Sequence, residues 1–168
     1  MPKISIINNI PTEIDEQRLV RRLKIREDDM EDFRDMLAET RKIARPRGMY
    51  AQANIDQRDR GQVIIEDLKF DSKVLEVNLE QAYKVFPYIV TVGTELERWS
   101  EGIKGVLKKY WADSLKEEVL RNARNYLLER LDETYSLQDT ADMNPGSLKD
   151  WPIDEQKKLF KLLGDPEA

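Results

Sequence analysis

The chain contains neither cysteine nor histidine in its 168 residues. Without cysteine there is no disulfide, no thiolate nucleophile and no thiolate ligand for zinc. Without histidine the chain lacks the usual general base near neutral pH and the commonest protein ligand of metal ions. Any chemistry would have to use carboxylates, lysines, tyrosines or a bound cofactor, so the composition favours binding over catalysis.

Long apolar runs and an excess of positive charge are absent as well. No segment approaches the roughly 20 apolar residues that span a bilayer, and the N-terminal residues do not follow the pattern of a signal peptide. We therefore expect a cytoplasmic protein with no membrane partner. The net charge of −5 argues against nucleic acid as the main partner. The sequence does not determine the oligomeric state.

The residues that are present show clear apolar periodicity, and no linker rich in proline, glycine or serine divides the chain. This pattern is typical of a single domain with one core. Residues 71–83 fit either a strand or a short helix. Strands are predicted at residues 3–7, 48–55, 63–65 and 85–92, and helices at residues 12–23 (with Thr12 as N-cap), 28–45, from 94 onward, 106–131 and 152–163.

Several side chains are assigned to local contacts by their spacing. Thr94, as an N-cap, and Glu97 three residues later match a capping box. Glu117 and Arg121 are spaced as an ion pair on the outer face of a helix. In the second predicted strand, Tyr50 falls on the face opposite to the apolar one.

Three segments carry glycines or charges that suit an ion. Residues 91–94 place a glycine between a strand and a helix start, where free backbone N–H groups can bind an anion. Residues 45–48 (Arg-Pro-Arg-Gly) can recognise a phosphate or an acidic partner. Acidic residues between positions 27 and 35 suit a hard cation but lack the spacing of a calcium-binding loop. In all three a structural role is the simpler interpretation.

A Pro-Gly turn stands out in the last quarter of the chain, at Pro145 and Gly146. Residues 139–144 before it are polar and are interpreted as an extended approach to the turn. Extended backbone beside a tight turn can present carbonyl and amide groups to a flat polar ligand. The candidate binding residues of this site are Asn144, Pro145, Gly146, Ser147, Asp150 and Trp151.

The residues that follow the turn have the pattern of a helix start. Asp150 can cap the last helix, and Pro152 suits the first turn of that helix because its missing N–H costs nothing there. Trp151 would then pack beneath the helix. Ile153 and Leu159 are its expected neighbours.

This C-terminal segment resembles a motif of the activation domain of vitamin B12-dependent methionine synthase. It resembles small stand-alone relatives of that domain, called activation-domain-like, still more closely. Residues 90–97 and the helix at residues 112–131 also look similar, so the resemblance covers nearly the whole chain. The C-terminal residues that carry it are Pro145, Gly146, Ser147, Asp150, Trp151, Pro152, Glu155, Gln156, Leu159, Phe160, Leu162, Leu163, Gly164 and Asp165.

The resemblance implies an α+β (mixed α/β) fold, in which an antiparallel sheet has flanking helices, and a single domain over residues 1–168. It implies S-adenosylmethionine as a ligand and a cobalamin-binding protein or domain as the partner, which would hold the cobalamin. The chain would be accessory to cobalamin-dependent methyl transfer in methionine biosynthesis. It would dock or reactivate the corrinoid partner of a methionine synthase-like methyltransferase without catalytic residues of its own.

The sequence departs from the family at the S-adenosylmethionine motif, Arg-x-x-x-Gly-Tyr. Aligned on Gly146, the arginine position is Asp142 and the tyrosine position is Ser147. A carboxylate at the first position repels the carboxylate of the ligand instead of pairing with it. The alternative is therefore a non-catalytic protein-interaction module that has lost ligand binding. Similar proteins continue into further strands beyond Gly164, which implies a domain truncated at its C-terminus or a shorter relative.

Overall fold

The computed structural model describes residues 2–166, which form both helices and strands. The fold is mixed α+β, with antiparallel sheets flanked by helices, so the predicted fold class is confirmed. Met1, Glu167 and Ala168, which the predicted domain includes, lie outside the described residues. The strands are β1 (Ile4–Ile7), β2 (Arg47–Ala51), β3 (Ala53–Asp59), β4 (Gln62–Ile65), β5 (Leu68–Asp71), β6 (Lys84–Val85) and β7 (Tyr88–Thr91). The helices are α1 (Glu16–Leu23), α2 (Met30–Ile43), α3 (Lys73–Asn78), α4 (Thr94–Glu101), α5 (Val106–Tyr135) and α6 (Gln156–Leu162), with short 3-10 helices at Glu27–Asp29 and Ile153–Glu155.

The chain forms two compact units, and each is assembled from separate stretches of sequence. We call them the sheet unit and the helical unit. The sheet unit comprises Met1–Ile6, Met49–Ile89 and Leu137–Ala168, and the helical unit comprises Ile7–Gly48 and Val90–Ser136. Each unit has its own cluster of buried apolar side chains. The assignment of residues 1–168 to a single activation-domain-like domain stays a prediction.

The strands form two sheets, one in the order β1-β2-β7 and one in the order β5-β4-β3-β6. The four-stranded sheet lies within the sheet unit and is antiparallel throughout. Glu66 and Asp67 connect β4 to β5, and both have positive φ, the conformation that a two-residue hairpin loop needs. α3 and α6 contribute leucines to the same core as the strands. The buried cluster consists of Ala53, Val63, Ile65, Phe70, Leu75, Leu79, Trp151 and Leu162.

The core of the helical unit is supplied by α1, α2, α4 and α5. Apolar residues three or four positions apart give each helix one inward stripe. Phe33 on α2 meets Trp111 on α5 edge to face, with ring centroids 5.7 Å apart, an arrangement that the charge distribution of aromatic rings favours. The buried cluster consists of Ile14, Leu19, Phe33, Met36, Leu37, Ala44, Leu96, Trp111, Ala112, Leu115 and Val119.

Two helices start differently from the prediction. α1 begins after Asp15, whose carboxylate accepts a hydrogen bond from the Arg18 N–H at 3.0 Å, so Thr12 is not its N-cap. α4 has Gly93 in the cap position and no side-chain cap bond. The predicted capping box is wrong because Thr94 is already inside the helix, and Glu97 points its carboxylate to Lys116 at 3.3 Å instead.

The predicted strand at residues 48–55 is in fact two strands, β2 and β3, separated at Gln52. A single alternation therefore does not run through it, and Tyr50 is buried, contrary to its predicted place on the face opposite to the apolar one. The run at residues 85–92 is likewise divided, with Pro87 between β6 and β7. Proline has no N–H to donate to a neighbouring strand, which explains the interruption.

α5 follows the predicted helix and continues to Tyr135, one turn past its predicted end. The predicted ion pair with Glu117 is wrong, because Arg121 pairs with Glu118 at 2.7 Å. Glu118 is the buried carboxylate of the two, and a second contact at 3.2 Å from Arg18 helps to neutralise it. Despite the length of α5, none of the helices within residues 2–166 combines the length and apolarity needed to cross a bilayer.

Leu115 and Leu120 provide a matched test of the helical core, since both lie on α5 and differ in burial. Leu115 is fully buried, whereas Leu120 is 40% exposed. We expect Leu115→Ala to lower the free energy of unfolding by about 2–5 kcal/mol because it leaves a cavity. Leu120→Ala should lower it by less than about 1 kcal/mol. Urea denaturation measures both, and equal losses would contradict this assignment of the core.

Candidate functional site

Residues 144–151, which we call the PG loop, fold back on themselves around the predicted Pro-Gly turn. The Ser147 N–H donates to the Asn144 carbonyl oxygen at 3.1 Å, and the Ser147 hydroxyl donates to the same oxygen at 2.6 Å. The Gly146 N–H donates to the Trp151 carbonyl oxygen at 2.7 Å. The amides of Gly146 and Ser147, at the turn itself, are therefore bonded within the loop.

Gly146 is required at its position for two reasons. Its φ is +89°, a region that residues with a side chain rarely adopt. A Cβ there would also lie 3.3 Å from Cδ1 of Ile153. Pro145 beside it is buried. The turn is thus fixed by packing as well as by its hydrogen bonds.

Asp150 lies at the start of α3, not at the start of the last helix. Its carboxylate accepts hydrogen bonds from the Ser72 hydroxyl at 2.6 Å and from the N–H groups of Lys73 at 2.7 Å and Val74 at 3.3 Å. The predicted cap is wrong because Pro152 occupies the cap position of the last helical segment and no side chain bonds there. Asp150 instead ties the PG loop to a helix 77 positions earlier in the chain.

These contacts lower the pKa of the Asp150 carboxyl group below its ordinary value. The largest cause is the hydrogen bond from the Ser72 hydroxyl, because it stabilises the ionised form. Partial desolvation opposes the shift, and the N–H groups of Lys73 and Val74 add to it. The folded chain therefore favours the negatively charged carboxylate at this point.

Trp151 anchors the PG loop in the core of the sheet unit. Its indole is buried and meets Phe70 edge to face, with ring centroids 6.2 Å apart. Leu159 packs against the same cluster, as predicted, whereas Ile153 is 57% exposed and lies over Gly146. Within residues 2–166 the buried Nε1–H of Trp151 has no hydrogen-bond partner, which costs about 1–3 kcal/mol.

The segment that approaches the turn is held at two points. The Tyr88 hydroxyl, on β7, donates to Oδ1 of Asp142 at 2.8 Å. The Asn78 amide, at the end of α3, donates to Sδ of Met143 at 3.2 Å. Asp142, which aligns with the arginine of the family motif, is therefore fixed in place as a hydrogen-bond acceptor.

The contacts of the PG loop bear on the ligand that the resemblance implies. The carboxylate of S-adenosylmethionine needs a cation or free N–H groups, but the Gly146 and Ser147 amides are used and Asp142 is an acid. Lys149 is the only basic residue between positions 139 and 151, and it is exposed. The residues present do not fit this carboxylate, and S-adenosylmethionine stays a prediction from the resemblance.

The two candidate anion sites come together in the helical unit. The Arg45 N–H donates to the Val92 carbonyl oxygen at 3.3 Å, and a Cβ on Gly93 would lie 2.8 Å from the Arg45 carbonyl oxygen. The cations are already used, since Arg47 pairs with Glu95 at 3.1 Å and the Arg45 guanidinium donates to two carbonyls at the end of α2. An anion would have to displace Glu95, so the structural interpretation is favoured.

The acidic residues at positions 27–35 lie in the first 3-10 helix and the first turns of α2. There they complement the positive end of the helix. Asp32 is used by Lys108, with a distance of 2.9 Å between the charged atoms. In the part of the chain that the structure describes, no group of three or more acidic side chains is close enough to hold a metal ion.

Sequence reasoning missed the partners of both aspartates of the candidate site. Ser72 carries a recognisable signal, since serine is a preferred N-cap and its hydroxyl accepts the Leu75 N–H at 3.0 Å. That Asp150 would join this cap has no local signal. The hydrogen bond between Tyr88 and Asp142 has no local sequence signal either, because it joins residues 54 positions apart and depends on tertiary structure.

No model of a known protein family matches the chain, and no curated protein matches it either. The resemblance to the activation-domain-like proteins therefore rests on the sequence motifs alone.

The capping role of Asp150 predicts a pH-dependent stability. Because its pKa is lower in the folded chain than in the unfolded chain, its stabilising effect is complete above the unfolded value, about 3.9, and is lost as the pH falls through the folded value. We expect Asp150→Asn to destabilise the chain at neutral pH, and the difference from wild type to shrink as the pH falls below about 4. Urea denaturation at several pH values measures this difference.

Asp154→Asn is the control for this experiment. Its carboxylate is exposed, and no described residue donates a hydrogen bond to it. This variant should change the free energy of unfolding little at any pH. If both variants showed the same loss at neutral pH, the stabilising contact assigned to Asp150 would be refuted.

Proposed function

We propose that the chain is a non-catalytic docking module that assists cobalamin-dependent methyl transfer, in the manner of the activation-domain-like proteins that it resembles. It binds a protein or domain that carries cobalamin, and the PG loop forms part of its contact surface. The observation that best supports this proposal is the closure of the PG loop by its own hydrogen bonds. A loop whose Gly146 and Ser147 amides are bonded internally offers a partner a fixed shape at the turn.

A pre-ordered loop suits the recognition of another protein. Trp151 and Pro145 hold the loop from its buried side, and Asp150 fixes it to α3. Little conformational entropy is then lost on binding. The exposed side chains of Ser147 and Lys149 supply polar contacts of the kind found at the rim of protein interfaces.

The cobalamin would stay with the partner. A module that ligates cobalt through histidine cannot lie in this chain, which contains none. The cofactor, when bound by the partner, supplies the methyl-transfer chemistry. This chain contributes binding and orientation of the partner, and its own side chains break no bond.

Presentation of S-adenosylmethionine to the same partner is a second candidate function. It is favoured by Pro145 and Gly146, which match the family's ligand motif. The position of Asp142 opposes it, since its carboxylate repels that of the ligand. We therefore rank docking without this ligand first.

Calorimetric titration with S-adenosylmethionine, with adenosylhomocysteine in parallel, separates the two candidates. We expect no saturable binding at millimolar ligand, because the loop offers no buried cation to the carboxylate. Asp142→Arg restores the family's arginine and should increase affinity if the loop can hold the ligand at all. If the wild-type chain bound S-adenosylmethionine with micromolar affinity, presentation of this ligand would become the favoured function and docking without it would be rejected.

The docking role is tested with the purified cobalamin-binding domain of a methionine synthase, loaded with hydroxocobalamin. We expect saturable binding, and we expect Lys149→Glu to weaken it about tenfold by reversing a charge on the PG loop. Lys157 is also an exposed lysine and lies outside the loop. Lys157→Glu is the matched control and should bind as the wild type does. Absence of binding by the wild-type chain would reject the proposed function.

A further inference from the structure

Three neighbouring apolar side chains at the start of α5 are exposed. Val106 is 89% exposed, Leu107 49% and Tyr110 53%. Tyr110 lies four positions after Val106 and three after Leu107, so its side chain neighbours both on the helix surface. We call these three residues the α5 start patch. Trp111, the next residue, is buried in the core. The inward face of the helix is thus already occupied, and the patch is additional apolar surface.

The α5 start patch lies beside a group of lysines. Lys104 and Lys109 flank it and have no ion-pair partner among residues 2–166, while Lys108 is paired with Asp32 at 2.9 Å. Between positions 101 and 113 the sequence has three lysines and two acidic residues, Glu101 and Asp113, in a chain whose net charge is −5. Asp113 is paired with Lys116 at 3.3 Å. The local charge is therefore opposite in sign to that of the whole chain.

These residues do not stabilise the helix on which they lie. The first turn of α5 has no side-chain cap and no acidic residue, although acidic residues are favoured at the positive end of a helix. Lys108 and Lys109 near that end are unfavourable for the same reason. Exposed aliphatic side chains add nothing to the core. Sequences that break several local rules at one place commonly do so for binding.

We propose that the α5 start patch is a docking surface for an acidic amphipathic segment of a partner protein. Aliphatic side chains of that segment would cover Val106, Leu107 and Tyr110, and its carboxylates would pair with Lys104 and Lys109. This inference rests on the proposed function of the chain as a binding module, and it names a surface and the chemistry of its partner. An anionic membrane is disfavoured because the patch occupies only the start of α5, whereas a helix that lies on a membrane presents an apolar face along its length.

Fluorescence anisotropy with a labelled synthetic helix of leucine and glutamate, placed at helical spacing, tests the proposal. We expect saturable binding that weakens as the salt concentration rises. The double variant Val106→Ser/Leu107→Ser removes the apolar contact and should weaken binding at least about tenfold. Lys104→Glu/Lys109→Glu reverses the charge and should weaken it by about as much.

Two controls keep the test specific. Leu120→Ser changes an exposed leucine on the same helix, and Lys157→Glu reverses a lysine of the sheet unit, and neither should alter affinity. Far-UV circular dichroism and the melting temperature of each variant show that loss of binding is not loss of fold. A companion peptide with lysine in place of glutamate should not bind.

Four results would overturn the proposal. The first is that the wild-type chain does not bind the acidic helix, and the second is that the patch variants bind it as well as the controls do. The third is that the lysine peptide binds as well as the acidic one. The fourth is that the patch binds a membrane or a second copy of the chain. The last is measured with vesicles of phosphatidylserine and phosphatidylcholine and with the sedimentation of the chain alone. Binding to vesicles or self-association that is lost only in the patch variants would assign the surface to a membrane or to a second copy.

The outcome is separable from that of the proposed function. If the patch variants bind the cobalamin-loaded domain and the acidic helix as the wild type does, while Lys149→Glu weakens binding of the domain, the patch is rejected and the docking role stands. If the acidic helix binds through the patch but the cobalamin-loaded domain does not bind, the corrinoid partner is rejected and the surface stands.

Discussion

The hydrogen bonds of one carboxylate hold the candidate site in place. Asp150 accepts the Ser72 hydroxyl and two backbone N–H groups at the start of α3, and these partners lie 76 to 78 positions away in the chain. Because Trp151 is the next residue, this attachment also directs the indole into the core of the sheet unit. The closure of the PG loop, the burial of Trp151 and the capping of α3 are therefore parts of one arrangement.

The PG loop and the start of α5 are surface segments that differ in whether their groups have partners within the chain. In the PG loop the amides of Gly146 and Ser147 find partners within the loop, so its conformation does not depend on a ligand. At the start of α5 the apolar side chains stay exposed, and Lys104 and Lys109 have no ion-pair partner within the described chain. The first segment offers a partner shape, and the second offers apolar area and charge. Recognition of a partner protein uses both properties.

Segments with strong periodicity were predictable from the sequence. α2 and α5 follow the spacing of their apolar residues, and the buried Trp151 and the Pro-Gly turn lie where the sequence placed them. Helix starts were less predictable, because several residues near each start can serve as a cap and tertiary contacts select among them. For that reason the N-cap of α1 is Asp15 and not the predicted Thr12. Asp150 is the clearest example. Its position just before the last helix predicted that it caps that helix, whereas it caps α3, which lies far away in sequence.

The division of the chain has a consequence for the order in which it acquires structure. The segments of the helical unit end at Ser136, whereas the core of the sheet unit also needs Trp151 and Leu162. During synthesis the helical unit has all its segments while Val63 and Phe70 still lack these partners. The newly made sheet therefore keeps an uncovered apolar face until the last stretch of the described chain emerges, and it is the part of the nascent protein most exposed to association with other chains.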